Sequence, residues 1–196
     1  MRLKVAAVIG VTAILSVAGG GIPAHANVVL DWNAIMARTV STENPFAQAR
    51  FAAIAQLAVF EATNAISGEY APYQGGVDAP HGASVEAAAI AAAHRVLVNY
   101  FPGNAASLDA DRAASLATVL DGAAKMDGIA VGEAAAAALI AARLDDGSAP
   151  PQFHVPSSSA PPVWQLTVGC PTAGGILLHW QNVVACPGFH RHLKRV

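Results

Sequence analysis

Arg50, Glu61 and Asn64 are the residues whose types and spacing come nearest to a chemical site in this sequence. Advanced at 100° per residue, they fall with Ile54 and Leu57 on one side of a helical run. Three polar groups therefore sit on or beside an apolar stripe rather than opposite it. Burying a charge is costly unless it is paired and hydrogen-bonded, so the pattern predicts a polar network between helices. A substrate or metal site built on Glu61 is the competing reading. His94 lies on the apolar stripe of a later helix, the setting of a hydrogen-bonded core histidine more than of a metal ligand. His190, Arg191 and His192 are a poor metal site, because two histidines at a chain end lack further ligands. Cys170 and Cys186 are candidates for a disulfide across a short loop, and the sequence leaves their pairing open. They are no metal motif, since no second pair stands at zinc spacing. The sequence contains no phosphate-cradling glycine loop, nucleotide-binding fingerprint or His-Glu-x-x-His, and no Gly-x-Ser-x-Gly elbow. No catalytic, cofactor-binding or metal-ligating residue is assigned.

The elements that position these residues are helices. Val28 to Val40 reads as a first helix, with Asp31 marking its N-terminal cap region and Trp32 and Ile35 on its apolar side. Asn44 is a natural N-cap and Pro45 suits the first helical position, where a missing N–H costs nothing. The second helix then runs to about Ile66 and ends near Gly68. Residues 69–82, rich in Tyr, Pro and Gly, form an irregular loop. Ser84 caps a third helix in which Ala87, Ile90, His94, Leu97 and Phe101 make a core-facing stripe, and Pro102-Gly103-Asn104 stops it. A fourth helix opens near Ser107, carries Leu108, Leu116, Val119 and Leu120, and breaks at Asp121-Gly122. A fifth runs from Ala123 to Leu144. Gly128 and Gly132, one turn apart within it, weaken an isolated helix and so predict close approach of a neighbour. Strand patterning is essentially absent. The fold class is all-α, a bundle of about five helices, followed by an irregular segment rich in Pro and Ser. In that segment Trp164, Leu166, Ile176, Leu177, Leu178 and Trp180 are the expected apolar anchors onto the helical body.

Composition bounds the rest. The chain has 196 residues, 54% hydrophobic and 12% charged, with a formal net charge of -2. Much of the apolar content is alanine, which favours tightly packed helices. A near-neutral balance argues against nucleic acid, which needs clustered Lys and Arg. Arg2 and Lys4, the apolar run from Val5 to Val17, Gly19 to Gly21 and Ala24-His25-Ala26 follow the three-part layout of a secretory signal peptide. The apolar run is about thirteen residues, short of the roughly twenty that span a bilayer. The expected organisation is a signal peptide over 1–26, a helical domain over 27–148, an extended segment over 149–183 and a divergent, disordered tail over 184–196. Secretion or export to the periplasm follows, with no stable membrane span after cleavage.

An ordered series of short motifs adds a family resemblance. Val29-Leu30-Asp31-Trp32-Asn33 is followed by Asn44-Pro45, Ala49-Arg50 and the run from Ala58 to Ile66 around Glu61-Ala62-Thr63-Asn64. Ala91 to Leu97 around His94-Arg95, then Tyr100-Phe101-Pro102, come next. Gly128 to Ala135, Arg143-Leu144-Asp145-Asp146-Gly147, Pro161-Pro162, Trp164 and His179 to Val183 complete the series. Together, over about Val28 to Val183, they resemble the N-terminal half of bacterial vanadium-dependent haloperoxidase-like proteins, members of the phosphatidic-acid-phosphatase superfamily. The resemblance implies two helical bundles with the active site in the second. There a Lys, an Arg-Pro, a Ser-Gly-His, a further Arg and a final His surround a tetrahedral oxyanion. Vanadate so held activates peroxide to oxidise halide, whereas phosphatase relatives use the His as nucleophile. No Arg-Pro or Ser-Gly-His occurs in this sequence. The resemblance therefore implies a chain without catalytic residues or vanadate ligands of its own, inactive alone. Divergence after Val183 suggests a truncated or frame-shifted product. Its expected partners are a missing catalytic half, or a second copy through an exposed apolar face. A small exported helical binding module is the alternative.

Overall fold

The computed structural model describes residues 28–169 and 174–185. The expected signal peptide, Cys170, Cys186, His190, Arg191 and His192 lie outside the described residues. Helix boundaries fall where capping chemistry puts them. α1 (Val28–Val40) is followed by α2 (Pro45–Ser67), which opens under Asn44. The Asn44 side-chain oxygen accepts from the Phe46 and Ala47 amides, each at 3.1 Å, satisfying two of the donors a helix start leaves orphaned. α2 closes on Gly68 at φ +65°, whose N–H donates to the Asn64 carbonyl at 2.8 Å. A residue without Cβ adopts that left-handed conformation at little cost. α3 (Val85–Tyr100) is capped by Ser84, whose hydroxyl accepts from the Ala87 amide at 3.1 Å. A 3₁₀ turn, Pro102–Asn104, leads into α4 (Ala105–Leu116), and α5 (Ala123–Ala142) completes the bundle. Among the described residues no strand forms, and the molecule is all-α with an irregular C-terminal part.

α3 is the central helix and touches each of the other four. Its residues Ala87 to Ala93, His94, Val96 and Leu97 are all buried, and over that length only Arg95 is exposed. A helix enclosed on several sides needs small side chains, and this is where the alanine content is used. The closest approach is to α5. A Cβ on Gly128 would collide with the Ser84 carbonyl oxygen, and one on Gly132 would collide with that of Ala88 and lie 2.8 Å from the Ala91 Cβ. Ile54, Ile90, Leu97, Leu108 and Leu139 fill the remaining space and are fully buried. Each contributes roughly 1.5–3 kcal/mol relative to leaving it exposed. The outer side of α5 is open: Met126, Ala130, Ala134, Ala137, Ala138 and Ala141 are exposed.

Several expected boundaries differ. Asp31 lies inside the first turn of α1, near its positive end, and is not the cap. α4 starts two residues before Ser107 and ends at Leu116, so Val119 and Leu120 fall in the following turn, where Leu120 is 90% exposed. α5 ends at Ala142, because Arg143 and Asp146 leave the helix axis to make buried polar contacts. The extended segment is held less by apolar anchors than expected. Trp164, Ile176 and Leu178 are exposed. Trp180 alone among the expected anchors makes a ring contact with the bundle, on Phe46 of α2 at 5.6 Å. A 3₁₀ turn, Leu178–Asn182, sits within the segment.

Candidate functional site

α2 distributes its polar residues to two destinations. Glu61 and Asn64, both buried, face the 69–76 loop. The Glu61 carboxylate accepts the Tyr73 amide at short range, the Gln74 amide at 3.2 Å and the Gly75 amide at 3.1 Å. Asn64 holds Tyr70 from both sides. Its Nδ2 donates to the Tyr70 carbonyl at 2.8 Å, and its Oδ1 accepts the Tyr70 amide at 2.9 Å. A loop lacks the partners that a helix supplies to its own backbone, and a buried side chain must supply them instead. Arg50, about three turns from Glu61 and nearly four from Asn64 on the same helix, points instead to the end of α5. Its Nε donates to the Asp146 carboxylate at 2.7 Å and its Nη2 to the Arg143 carbonyl at 3.3 Å. Arg50, Glu61 and Asn64 thus make no direct hydrogen bond with one another.

Arg143 joins the two sets. Buried just past the end of α5, it donates from Nη2 to the Tyr73 hydroxyl at 3.0 Å and from Nη1 to the Val184 carbonyl at 2.7 Å. The Val184 amide donates back to the Asp146 carbonyl at 2.8 Å. The 69–76 loop, the end of α5 and the returning chain at Val184 are therefore tied through one guanidinium. Burial pushes the Asp146 carboxyl up, but hydrogen bonds from Arg50 and Ser148 and the Arg50 charge outweigh it, leaving it below the ordinary carboxylate value. Burial raises the Tyr100 phenol above its ordinary value, with the Arg50 guanidinium opposing. That guanidinium also stands 5.3 Å from the ring centres of both Phe51 and Tyr100, within cation–π range.

Beside this junction is a cleft of about 230 Å³ lined by Phe46, Arg50, Arg143, Asp146, Trp180 and Val184, among others. It is not arranged for anion chemistry. Arg50 is turned onto a carboxylate, and Arg143 onto a carbonyl and a phenol. A second, wider cleft of about 810 Å³ lies between the starts of α1, α3 and α5. Among the described residues no three His, Cys, Asp or Glu side chains converge as a metal site would require. His94 is buried against the edge of Trp32, ring centres 6.2 Å apart, and its Nε2 is 2.8 Å from the Asp109 carboxylate. Among the described residues its Nδ1 has no hydrogen-bond partner, so the expected hydrogen-bonded core histidine is bonded there on one nitrogen. Sequence reasoning missed the partners Asp146, Arg143, Asp109 and Tyr73. The signal for Asp146 was present in Asp145-Asp146-Gly147, where one acid at a helix end is buried and the other exposed. Nothing local says which. It also missed His179, which is buried and accepts the Gln152 amide on Nδ1 at 3.1 Å. Comparison with protein-family models, with curated proteins and with solved structures finds no match.

Proposed function

We propose that this chain is the helical body of a vanadium-haloperoxidase-like protein, a scaffold that is catalytically silent by itself. The supporting observation is the fate of its buried polar residues. Arg50, Glu61, Asn64, Arg143 and Asp146 belong to the motif series behind the resemblance, and each is engaged in an internal hydrogen bond. A catalytic group needs a partner in the reacting substrate, whereas these groups fix the loop, the helix end and the returning chain to one another. The residues present do not fit vanadate. A tetrahedral oxyanion requires converging cationic donors, and the Asp146 carboxylate beside Arg50 both neutralises that cation and repels an anion. Halide oxidation or phosphoester hydrolysis would then belong to residues this chain does not carry. The test is a bromide-dependent peroxide assay with added vanadate, run alongside hydrolysis of an aryl phosphate. The purified chain is expected to show no turnover above buffer in either. Turnover proportional to its concentration would overturn the proposal.

A further inference from the structure

The cleft of about 810 Å³ between the starts of α1, α3 and α5 has a largely apolar wall, and its hydroxyl groups are already committed. Val28, Val85, Ala89, Val119, Leu120 and Ala123 line it, and Val85 and Leu120 are 39% and 90% exposed. The Thr63 hydroxyl donates to the Val59 carbonyl at 2.9 Å, and that of Thr118 to the Ser115 carbonyl at 2.7 Å. The Ser84 hydroxyl donates to the Glu86 carboxylate at 3.1 Å while accepting the Ala87 amide. A ligand body rich in hydrogen-bonding groups would find few partners here, and a buried polar group without one is costly. An apolar body loses no hydrogen bond on entering and covers valine and leucine side chains that now meet water.

The charges at this cleft are of one sign. Among the described residues that line it, Glu86 and Asp121 are acids and none is Lys, Arg or His. Lys125 pairs with Asp121 at 2.8 Å yet leaves that carboxylate 95% exposed. Glu86 is exposed, and its partner among the described residues is the Ser84 hydroxyl, not a cation. The start of α5 has no side-chain cap, which by itself would favour a carboxylate ligand. Asp121, immediately before that start, opposes one. We propose that the cleft binds a small amphiphilic cation, an aliphatic body ending in an ammonium group, with Glu86 as the principal counter-charge and Asp121 as the second. Exposed carboxylates attract weakly, so the affinity comes mostly from burying the aliphatic body, and the two acids select the sign of the head. Such binding is independent of whether the protein is a silent scaffold.

Titration of the full chain with octylammonium, octanol and octanoate, followed by backbone amide NMR shifts, tests the assignment. The three probes share one alkyl body and differ in the charge of the head. Saturable shifts are expected at Val85, Glu86 and Leu120 to Ala124, with affinity falling in the order ammonium, alcohol, carboxylate. Added salt should narrow those differences. Glu86→Gln combined with Asp121→Asn should weaken octylammonium roughly fivefold and leave octanol unchanged. Helical circular dichroism should be retained, since both side chains are exposed. No saturable shifts, octanoate binding as tightly as octylammonium, or undiminished octylammonium affinity in the double variant would each overturn the proposal. So would shifts confined to the open side of α5 around Ala130 and Ala134, which would place the apolar binding there instead.

Discussion

Glu61 and Asp146 are both buried, and the bundle compensates their charges by different means. Glu61 is met by backbone dipoles, three loop amides converging on one carboxylate. Asp146 is met by a formal charge, with side-chain exposures of 2% for Asp146 and 11% for Arg50. Removing one member of a buried pair leaves the other uncompensated, typically at about 3–5 kcal/mol. Asp146→Ala should lower the unfolding free energy by an amount of that order in urea titrations near neutral pH. Because folding depresses the Asp146 pKa, its contribution is complete above the ordinary carboxylate value and is lost as pH falls through the depressed one. The gap between wild type and Asp146→Ala should accordingly narrow on acidification. A gap that stays constant down to about pH 2.5 would contradict the assignment. The sequence made it legible that Arg50, Glu61 and Asn64 needed polar partners. It could not name them, because Arg50 finds its partner 96 residues away.

At the level of elements, the α3–α5 contact and the attachment of α4 are physical opposites. α3 and α5 meet backbone to backbone through Gly128 and Gly132, with no room for a methyl group. Replacing Gly132 with Ala gains about 1 kcal/mol of helix propensity. It also drives a Cβ into the Ala88 carbonyl, and overpacking of this kind costs about 1–3 kcal/mol. Backbone cannot yield as a flexible side chain does, so Gly132→Ala should lower the melting temperature, and a rise would refute the close approach. α4 has one buried residue, Leu108. Polar contacts do much of the remaining work: Asp109 with His94, Asp111 with Arg38 at 2.6 Å, Arg112 with Glu133 at 2.9 Å, and Ser115 with Trp32 at 3.2 Å. Exposed pairs are weak and screened by salt. Amides of α4 should therefore exchange faster than those of α3, and faster still in about 1 M salt. Equal protection of the two helices would show that α4 is held by something other than these pairs. Gly128 and Gly132 announced their contact in the sequence, whereas the polar seam of α4 did not, since its hydrogen-bond partners lie on α1, α3 and α5.

For the whole molecule, the open side of α5 is the consequential feature. A helix as rich in apolar residues as α5 ordinarily buries most of them, yet Met126 within it is 71% and Leu144, just past its end, 78% exposed, with exposed alanines between them. The native chain should bind a hydrophobic dye such as ANS before it melts. Dye emission no higher than with a fully enclosed helical protein would show that this side is too shallow to act as a patch. The sequence by itself determined the helices: Asn44-Pro45, Gly68 and Ser84 set starts and stops because capping is satisfied within a few residues. It also determined that α3 carries a core-facing stripe and that α5 approaches a neighbour closely, since Gly128 and Gly132 one turn apart have few other uses in a helix. Tertiary structure alone decided which acid of Asp145-Asp146 is buried, that Arg143 joins loop, helix end and returning chain, and that Trp164 and Ile176 face outward. Those outcomes depend on where distant segments close upon one another. Burial and pairing are properties of that closure and are not written into any short stretch of sequence.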